Sequence, residues 1–427
     1  MKTKYAQVGI GSRGTIFYNA IAGKFKDTCE LTGFCDVSPT RMEYANKLLK
    51  ENHNHPPVPM YLYTEFEKMI DETKPDVIIV TSVDRTHDEY IIRAMEKGCD
   101  VIVEKPMTTD EIKAQAVIDA MKRTGRKLRV TFNARYGPSH TKIRELIVND
   151  TIGDVFSVHF EWLLDINHGA DYYRRWHRNK ANSGGLLVHK STHHFDMVNF
   201  WLGAKPETVF AFGALNFYGR HNAEKRGVTD FYYRSHGSPN KDTDPFAIDM
   251  ENNPQMKAMY LDAEKDSGYI RDRSVFSDDI GIEDTMALSV RYNTGAVMSY
   301  SLNSYMPWEG FNVALNGSKG RIEYRTRAAE KFVNIGKKAI ESAGSFTDII
   351  VFPMFGEPYE VPFDKLEGSH GGSDDVMLQD IFGTPQPDPF NRAAGLEDGL
   401  MSILTGIAAN KSIASGLPCK IADLIRM

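Results

Sequence analysis

A glycine-rich turn near the start of the chain constrains its fold more than any other feature. Residues 5–14 read YAQVGIGSRG, so an apolar strand runs directly into Gly9, Gly11 and Gly14. The first glycine allows a tight turn, the second lets backbone approach phosphate groups, and the third lets the next helix pack closely on the strand. Because a helix N-terminus presents free N–H groups, this pattern predicts a dinucleotide pyrophosphate site in a Rossmann fold.

A second apolar run indicates which dinucleotide is bound. The run CELTGFCDV contains Asp36, about 20 residues beyond Gly14, where a carboxylate accepts hydrogen bonds from the adenosine ribose. This acidic residue predicts NAD. Arg41 lies just beyond it and could take a 2′-phosphate, so NADP is kept as a second possibility. Ser12 and Arg13, inside the glycine turn, are also predicted to contact the cofactor.

Size and composition bound the class of protein. A chain of 427 residues is too long for one ordinary core and suggests two domains. Its hydrophobic content of 41% and charged content of 25% are typical of a globular protein. The net charge of -6, with no basic stripe, argues against a nucleic-acid partner. No apolar run approaches the roughly 20 residues needed to span a bilayer, so no membrane association is expected.

The expected compartment is the cytoplasm. The first strand begins within a few residues of Met1, which leaves no room for a signal peptide in the chain as given. A reducing compartment also suits cysteines that are scattered and form no C-x-x-C pair. The chain has four of them, Cys29, Cys35, Cys99 and Cys419.

The pattern of predicted strands and helices changes after about the first third of the chain. Up to about residue 130, short β-rich runs alternate with helical patterns, which predicts βαβ units in a doubly wound parallel sheet. Longer alternating strands follow and predict an open, predominantly antiparallel sheet. We therefore expect an α/β protein, with a Rossmann domain over residues 1–130 and a C-terminal α/β domain over 131–427 for substrate binding and oligomerisation. The polar stretch 219–281 is too long for a structureless loop and is expected to be a lid or an arm to a neighbouring subunit.

Three further segments carry a resemblance to a known family. They are TSVDRTHDEYIIRAMEKGCDVIVEKP, FNARYGPSHTKIRELIVNDTIGDV and SGGLLVHKSTHHFDMVNFWLG. Together they resemble the Gfo/Idh/MocA family, the glucose-fructose oxidoreductase and inositol dehydrogenase group of NAD(P)-dependent sugar oxidoreductases. The Glu-Lys-Pro at 104–106 is the most specific element. The resemblance implies that Lys105 lies near the nicotinamide, that Pro106 is cis, that a second-domain histidine shares proton transfer, and that the protein is a homodimer or homotetramer.

The chemistry of hydride transfer supports the same lysine. Oxidising a secondary alcohol leaves a proton on the oxygen of the same carbon, and a partly buried lysine or a histidine can take it near neutral pH. Lys105 follows a predicted parallel strand, at the edge where open α/β sheets bind ligands. We predict that Lys105 is catalytic and that Glu104 and Lys105 border the cofactor. The alternative is a surface lysine that caps a loop.

A histidine-rich helix is predicted in the second domain. Helical spacing puts His189 and His193 on one face. The family pattern has an aspartate four residues before its histidine, whereas this chain has His189 there and His193 at the histidine position. His193 is the predicted second proton-transfer group, the alternative being a hydrogen-bonded core histidine. His189 or Lys190 could instead contact substrate hydroxyls or a substrate carboxylate.

The segment HGADYYRRWHR predicts a polar wall for a sugar. Aromatic faces and bidentate donors are what polyol recognition uses, and the candidates are Asp171, Tyr172, Arg175, Trp176 and His177. Arg135 and Asn133, at the crossover between domains, could also bind substrate or could tie the linker down. The histidines at 168, 177, 189 and 193 could suggest a metal, but their spacing matches no zinc motif and hydride transfer needs none. No metal is predicted.

Two residues after the strand DVIIV are expected near the nicotinamide ribose. The resemblance implies a histidine at His87 and a proline near Ser82, and the serine departs from that pattern. We predict that both border the cofactor, with a slightly shifted backbone path at Ser82.

These features predict an NAD-dependent oxidoreductase that moves a hydride between nicotinamide and a carbon of a sugar, cyclitol or sugar derivative. One alternative keeps the fold and predicts an NAD-assisted glycosidase, in which transient oxidation allows elimination of the glycosidic bond. The other is a catalytically silent nucleotide-binding protein, against which Glu104-Lys105-Pro106 and His193 argue.

Overall fold

The computed structural model describes residues 2–328, 331–332, 340–341, 345–368, 370–384 and 386–426. The first part of the chain alternates strands and helices. In chain order these are β1 (Thr3–Val8), α1 (Thr15–Ala22), β2 (Cys29–Asp36), α2 (Pro39–His53), β3 (Met60–Leu62), α3 (Phe66–Thr73), β4 (Val77–Val80), α4 (His87–Glu96), β5 (Asp100–Val103), α5 (Glu111–Thr124) and β6 (Leu128–Val130).

The six strands described in this part form one parallel sheet with the order β3-β2-β1-β4-β5-β6. The order reverses between β1 and β4, and a doubly wound sheet binds its ligand in the crevice at that point, beyond the carboxyl ends of the strands. The prediction of a Rossmann domain is confirmed.

The second part of the chain is built on a larger sheet. Its elements are α6 (Pro138–Val148), β7 (Val155–Asp165), α7 (Ile166–Arg174), α8 (Lys180–Ser183), α9 (Leu186–His189), α10 (Ser191–Leu202), β8 (Pro206–Ala214), α11 (Arg220–Lys225), α12 (Pro254–Met256), α13 (Glu264–Ser267), β9 (Thr285–Tyr292), β10 (Val297–Met306), β11 (Gly310–Gly317), β12 (Gly320–Arg327), β13 (Lys331–Phe332), β14 (Ile340–Glu341), β15 (Phe346–Pro353), β16 (Tyr359–Glu360), α14 (Ser373–Phe382), α15 (Leu396–Ser415) and β17 (Cys419–Lys420).

Nine of the described strands pair in the order β16-β15-β12-β11-β7-β10-β9-β8-β17. All these pairs are antiparallel except β7 with β10. Buried and exposed residues alternate along β9, because one face packs on the core and the other is open. The open, predominantly antiparallel sheet is therefore confirmed.

One helix from near the end of the chain returns to the Rossmann sheet. Phe382 of α14 packs edge-on against Tyr5 of β1, with ring centroids 5.1 Å apart, and Met377 and Leu378 belong to the same core cluster. The main chain of Val130 also bridges to Ala394. The division at residue 130 stays a prediction, since distant sequence completes the first core.

The polar stretch 219–281 crosses from the second domain to the nucleotide turn of the same chain. It contains α11, α12, a π-helix over Lys257–Leu261, and α13. Arg41 of α2 donates to the main-chain oxygen of Met259 at 2.9 Å, and Asp266 accepts from the Ser38 hydroxyl at 2.5 Å. We call residues 254–269 the strap.

Candidate active site

The glycine turn has the shape that a dinucleotide requires. Gly9 has φ +87°, and a Cβ there would lie 2.4 Å from the Ser82 nitrogen. A Cβ on Gly14 would lie 2.5 Å from the Gln7 amide nitrogen, whereas a Cβ on Gly11 would meet no described atom within 4 Å. Two of the glycines are thus required by packing, and the third leaves open space beside the start of α1. These residues fit a pyrophosphate group.

Asp36 lies at the carboxyl end of β2, next to this turn. Its two oxygens accept hydrogen bonds from the main-chain nitrogens of Ile10 at 2.5 Å and Ser38 at 2.8 Å, and Arg41 lies 3.5 Å away. Burial raises the pKa of Asp36, against the lowering effect of Arg41. The carboxylate therefore braces the turn at the place where an adenosine ribose would reach it.

Arg13 links the nucleotide turn to two other segments. It donates from Nε to Glu104 at 2.8 Å and from both terminal nitrogens to Asp374 of α14 at 2.9 Å. The second Glu104 oxygen accepts from the main-chain nitrogen of Lys105 at 3.1 Å. Glu104 and Arg13 thus hold the loop after β5 against the turn, and direct contact of either with the cofactor stays a prediction.

His87 clamps the same loop from the other side. Its Nδ1 lies 2.8 Å from the Pro106 carbonyl oxygen, and its Nε2 lies 3.1 Å from the Ser82 carbonyl oxygen. Burial lowers the pKa of His87, so the ring is neutral and donates one of these two hydrogen bonds. Both ring nitrogens face protein carbonyls, so His87 positions the loop. Cofactor contact by Ser82 and His87 stays a prediction.

Lys105 follows β5 and precedes a cis peptide bond to Pro106. Its Nζ donates to the main-chain oxygen of His189, in the second domain, at 3.4 Å. Burial lowers the pKa of Lys105 to about 8, although Asp84 and Glu104 oppose the shift. A lysine with this pKa has an appreciable neutral fraction near neutral pH, as a proton acceptor needs.

His193 lies on α10, in the second domain, and is close enough to Lys105 to feel its charge. We call the junction between Lys105 and helices α9 and α10 the cleft. Its ring contacts Phe132 edge-on, with centroids 6.0 Å apart. Within the described residues its buried Nδ1 has no hydrogen-bonding partner. Burial, with a contribution from Lys105, lowers the pKa of His193 well below its ordinary range. A neutral imidazole of this kind can accept a proton.

The predicted polar wall is assembled around His189. His177 lies edge-on to His189 with ring centroids 4.2 Å apart, Trp176 stacks on His177 at 3.6 Å, and Tyr172 lies 5.5 Å from His189. The Tyr172 hydroxyl is 3.0 Å from Nε2 of His168. The structure therefore brings Tyr172, Trp176, His177 and His189 together, although their contact with substrate stays a prediction.

Sequence reasoning missed three members of the site. Glu309 lies 2.8 Å from Nδ1 of His168, and the Trp162 ring lies 4.9 Å below the Lys190 ammonium. Burial lowers the pKa of Lys190, against the opposing effect of Glu309. Asp84, the third, contacts His189. Its position after the parallel strand β4 was visible in the sequence, but no role could be given to it there. Trp162 lies on β7 and Glu309 in the turn between β10 and β11, and neither has such a mark.

Arg135 is not brought to the cleft. It is buried, and its guanidinium donates to both oxygens of Asp196, at 2.8 and 2.6 Å, and to Asp398 at 2.8 Å. Asn133 likewise donates to Asp374 at 2.8 Å. With these donors used inside the protein, the geometry favours the alternative that Arg135 and Asn133 tie the domain junction together.

No group of three or more histidine, cysteine, aspartate or glutamate side chains in the described ranges is arranged to hold a metal ion. His168 and His189 pair with different carboxylates, Glu309 and Asp84. None of the helices in the described ranges is both long enough and apolar enough to cross a bilayer.

Comparison with known proteins agrees with this fold. The family model described as oxidoreductase family, NAD-binding Rossmann fold, matches residues 3–132, and the model for the C-terminal alpha/beta domain of the same family matches residues 144–421. The chain therefore belongs to the Gfo/Idh/MocA family. It is an oxidoreductase with an NAD-binding Rossmann domain.

Individual relatives show how far the similarity extends. The chain is 36% identical over 434 residues to the oxidoreductase YteT of Bacillus subtilis (strain 168), with 98% of each chain covered. It is 27% identical to myo-inositol 2-dehydrogenase of Thermotoga maritima over 49% of this chain and 57% of that one. The WlbA dehydrogenase of Bordetella pertussis, solved with NADH and UDP-GlcNAcA, shares the fold with a TM-score of 0.64 at 17% identity, over 98% of this chain and 99% of that one.

Proposed function

We propose that this protein transfers a hydride between NAD and a carbon of a sugar, cyclitol or sugar derivative. The observation that carries the proposal is the meeting of Lys105, at the carboxyl end of β5, with the histidine-bearing helices α9 and α10, where Lys105 Nζ lies 3.4 Å from the His189 carbonyl oxygen. The similarity to an inositol dehydrogenase supports a polyhydroxylated substrate.

The proton chemistry falls to residues of this chain. NAD, when bound, supplies the hydride acceptor. Lys105, with a pKa lowered to about 8 by burial, accepts the proton of the reacting hydroxyl in its neutral form and returns it in the reverse direction. His193 is the second candidate to take that proton, because its buried Nδ1 has no hydrogen-bonding partner within the described residues.

The wall of the cleft suits a ring bearing several hydroxyls. Tyr172 and Trp176 supply aromatic faces, while Lys190 and the imidazoles of His177 and His189 supply polar atoms. Polar groups at fixed positions on an apolar surface orient a small ligand and exclude water from the reacting carbon.

A panel of sugars, polyols and glycosides tests the proposal. The purified protein is incubated with each compound and NAD, then NADP, and NADH or NADPH formation is followed by absorbance. We expect at least one cyclitol or sugar to be oxidised with NAD, and turnover by Lys105→Met to be lower by about 10² to 10⁴. Failure of every compound in both directions, with either cofactor, would contradict the proposal.

The strap favours a second candidate, the NAD-assisted glycosidase. Tyr260 accepts a hydrogen bond from the Ser12 main-chain nitrogen at 3.3 Å, and Ser38 and Arg41, at the start of α2, also bind the strap. A segment lying across the nucleotide turn suits a cofactor that stays bound while it is reduced and reoxidised within one cycle.

Cofactor retention and product stoichiometry distinguish the two candidates. The glycosidase hypothesis predicts that NAD co-purifies with the protein and that a glycoside is cleaved without net formation of NADH. Accumulation of NADH in proportion to product would leave the dehydrogenase as the function.

A further inference from the structure

A carboxylate contacts His189 of the second domain, although the chain has this histidine where the family pattern has an aspartate. Oδ2 of Asp84 lies 2.5 Å from Nδ1 of His189, and both side chains are buried. Asp84 begins the short 3₁₀ turn Asp84–Thr86 after β4, in the first domain, whereas His189 ends α9 in the second. The two domains thus contribute one residue each to the pair.

We infer that Asp84 is a positioning residue that holds His189 as the Nδ1–H tautomer, so that His189 Nε2 accepts a hydrogen bond from a substrate hydroxyl. The substrate contact rests on the proposed function, whereas the tautomer rests on the geometry of the Asp84–His189 pair. The sequence left open whether His189 contacts a substrate hydroxyl or a substrate carboxylate. An imidazole fixed in this tautomer can accept a hydrogen bond from a hydroxyl, but it has no free N–H to donate to a carboxylate.

The tautomer follows from the inventory of donors and acceptors. An ionised carboxylate can only accept, so the contact requires a proton on Nδ1. A neutral imidazole then carries a lone pair on Nε2. Within the described residues Nε2 of His189 has no hydrogen-bonding partner, and its side chain keeps 11% of its exposure, so this atom is not sealed in the core.

The surrounding charges favour a neutral imidazole. Burial lowers the pKa of His189 well below its ordinary range, and the neighbouring cations and imidazole act in the same direction. The groups facing His189 are Lys105, His177, Arg175 and Lys190. Those facing Asp84 are Lys105, Arg175 and Glu104. Burial raises the pKa of Asp84 well above its ordinary range, and the charges of Lys105 and Arg175 oppose that shift. A protonated Asp84 would instead donate to Nδ1 of His189, and the first test below distinguishes the two forms.

The His189 ring is held by more than the carboxylate. His177, Tyr172 and Trp176 pack around it with ring centroids 4.2, 5.5 and 5.9 Å away. Asp84→Asn therefore leaves the ring in place but lets the amide donate to Nδ1, which moves the imidazole proton to Nε2 and removes the acceptor from the cleft.

The first test reads the tautomer without any substrate. Protein labelled with ¹⁵N at histidine is examined by NMR in the wild type, Asp84→Asn and His189→Gln. We expect a downfield Nδ1–H resonance in the wild type that both substitutions abolish, while Asp88→Asn, a matched change on α4, keeps it. Thermal unfolding and NAD titration confirm that each variant is folded. A wild-type His189 protonated at Nε2, or a resonance that persists in Asp84→Asn, would overturn the inference.

The second test reads the substrate contact. With a substrate from the panel, Asp84→Asn is expected to raise KM by at least about tenfold while NAD affinity is unchanged. The pH midpoint set by Lys105 should move down, because the charge of Asp84 raises the pKa of that lysine. Removing the contacted hydroxyl from the substrate should weaken the wild type more than the variant. An unchanged KM, together with the expected NMR result, would overturn the hydroxyl contact. If no compound is turned over, the proposed function fails, while the NMR test still decides the pair.

Discussion

The Lys105 ammonium lies 3.4 Å from the main-chain oxygen of His189. This contact joins the carboxyl edge of the first sheet to α9 of the second domain, so the residue with the lowered pKa sits where the two domains meet. The loop that carries it is held by Glu104 and His87 from opposite sides. A change at Lys105 should therefore alter chemistry more than folding.

Lys105→Met should lower turnover by about 10² to 10⁴, the usual contribution of a general acid or base. Methionine has a similar length and suits a buried site, so NAD affinity by calorimetry should change little. Lys97→Met, at a surface lysine paired with Asp71, is the control and should be silent. A Lys105 variant that keeps most of its activity would mean that this lysine is structural.

The oxidation rate should increase with pH around the pKa of Lys105. The neutral amine is the proton acceptor, and it predominates above a pKa that burial lowers to about 8. kcat/KM for alcohol oxidation should therefore rise with pH and level off above that value, and the reduction direction should show the opposite trend. Steady-state rates across this range, with buffers of constant ionic strength, provide the check. An oxidation rate that falls with rising pH would contradict the assignment.

Asp36→Ala should narrow the preference for NAD over NADP. The wild-type carboxylate would bind the ribose diol and repel a 2′-phosphate, and its removal frees Arg41, now 3.5 Å from it, to attract that phosphate. Calorimetric titration with both cofactors measures the change, with Glu30→Ala at the exposed start of β2 as the control. The prediction is wrong if the wild type binds NADP at least as tightly as NAD.

Arg135→Ala should destabilise the protein by about 3 to 5 kcal/mol, because it leaves the buried carboxylate of Asp196 without its partner. Burial already raises the pKa of Asp196 to about 6 with the arginine present. Urea unfolding measures the loss, and Arg126→Ala, at an exposed arginine, should cost far less. Unchanged stability with a raised substrate KM would instead return Arg135 to the substrate site.

The open face of the large sheet should form a homo-oligomer interface. Phe212 is 67% exposed there, and Phe210, Ala287 and Ser299 line the same shallow groove. An apolar patch on an open sheet is typical of a contact between copies. Light scattering at micromolar concentration should report a dimer or tetramer, weakened by Phe212→Lys but not by Phe355→Lys, a change at an exposed loop. A wild-type monomer would contradict this prediction.

Local pattern was sufficient to predict the Rossmann half and the position of Lys105 at the edge of its sheet. Each of the signals used can be recognised from a few neighbouring residues. They are the glycines at 9, 11 and 14, the acidic residue at the end of β2, and Lys105 after β5. Backbone sterics and strand order then bring them to one edge of the sheet. The alternation of apolar and polar residues along the second-domain strands likewise predicted its open sheet. One face of such a sheet packs on a core and the other does not, so the residue type changes with a period of two.

Contacts between segments far apart in sequence could not be obtained in this way. The pairing of Asp84 with His189, the binding of Arg135 by Asp196 and Asp398, and the strap over the nucleotide turn all join residues with no shared local pattern. Which donor meets which acceptor is decided when the domains pack, since an unpaired buried polar group is costly and most buried polar groups therefore find a partner. That packing placed a first-domain carboxylate beside a histidine of the second domain, and it took Arg135 away from the cleft.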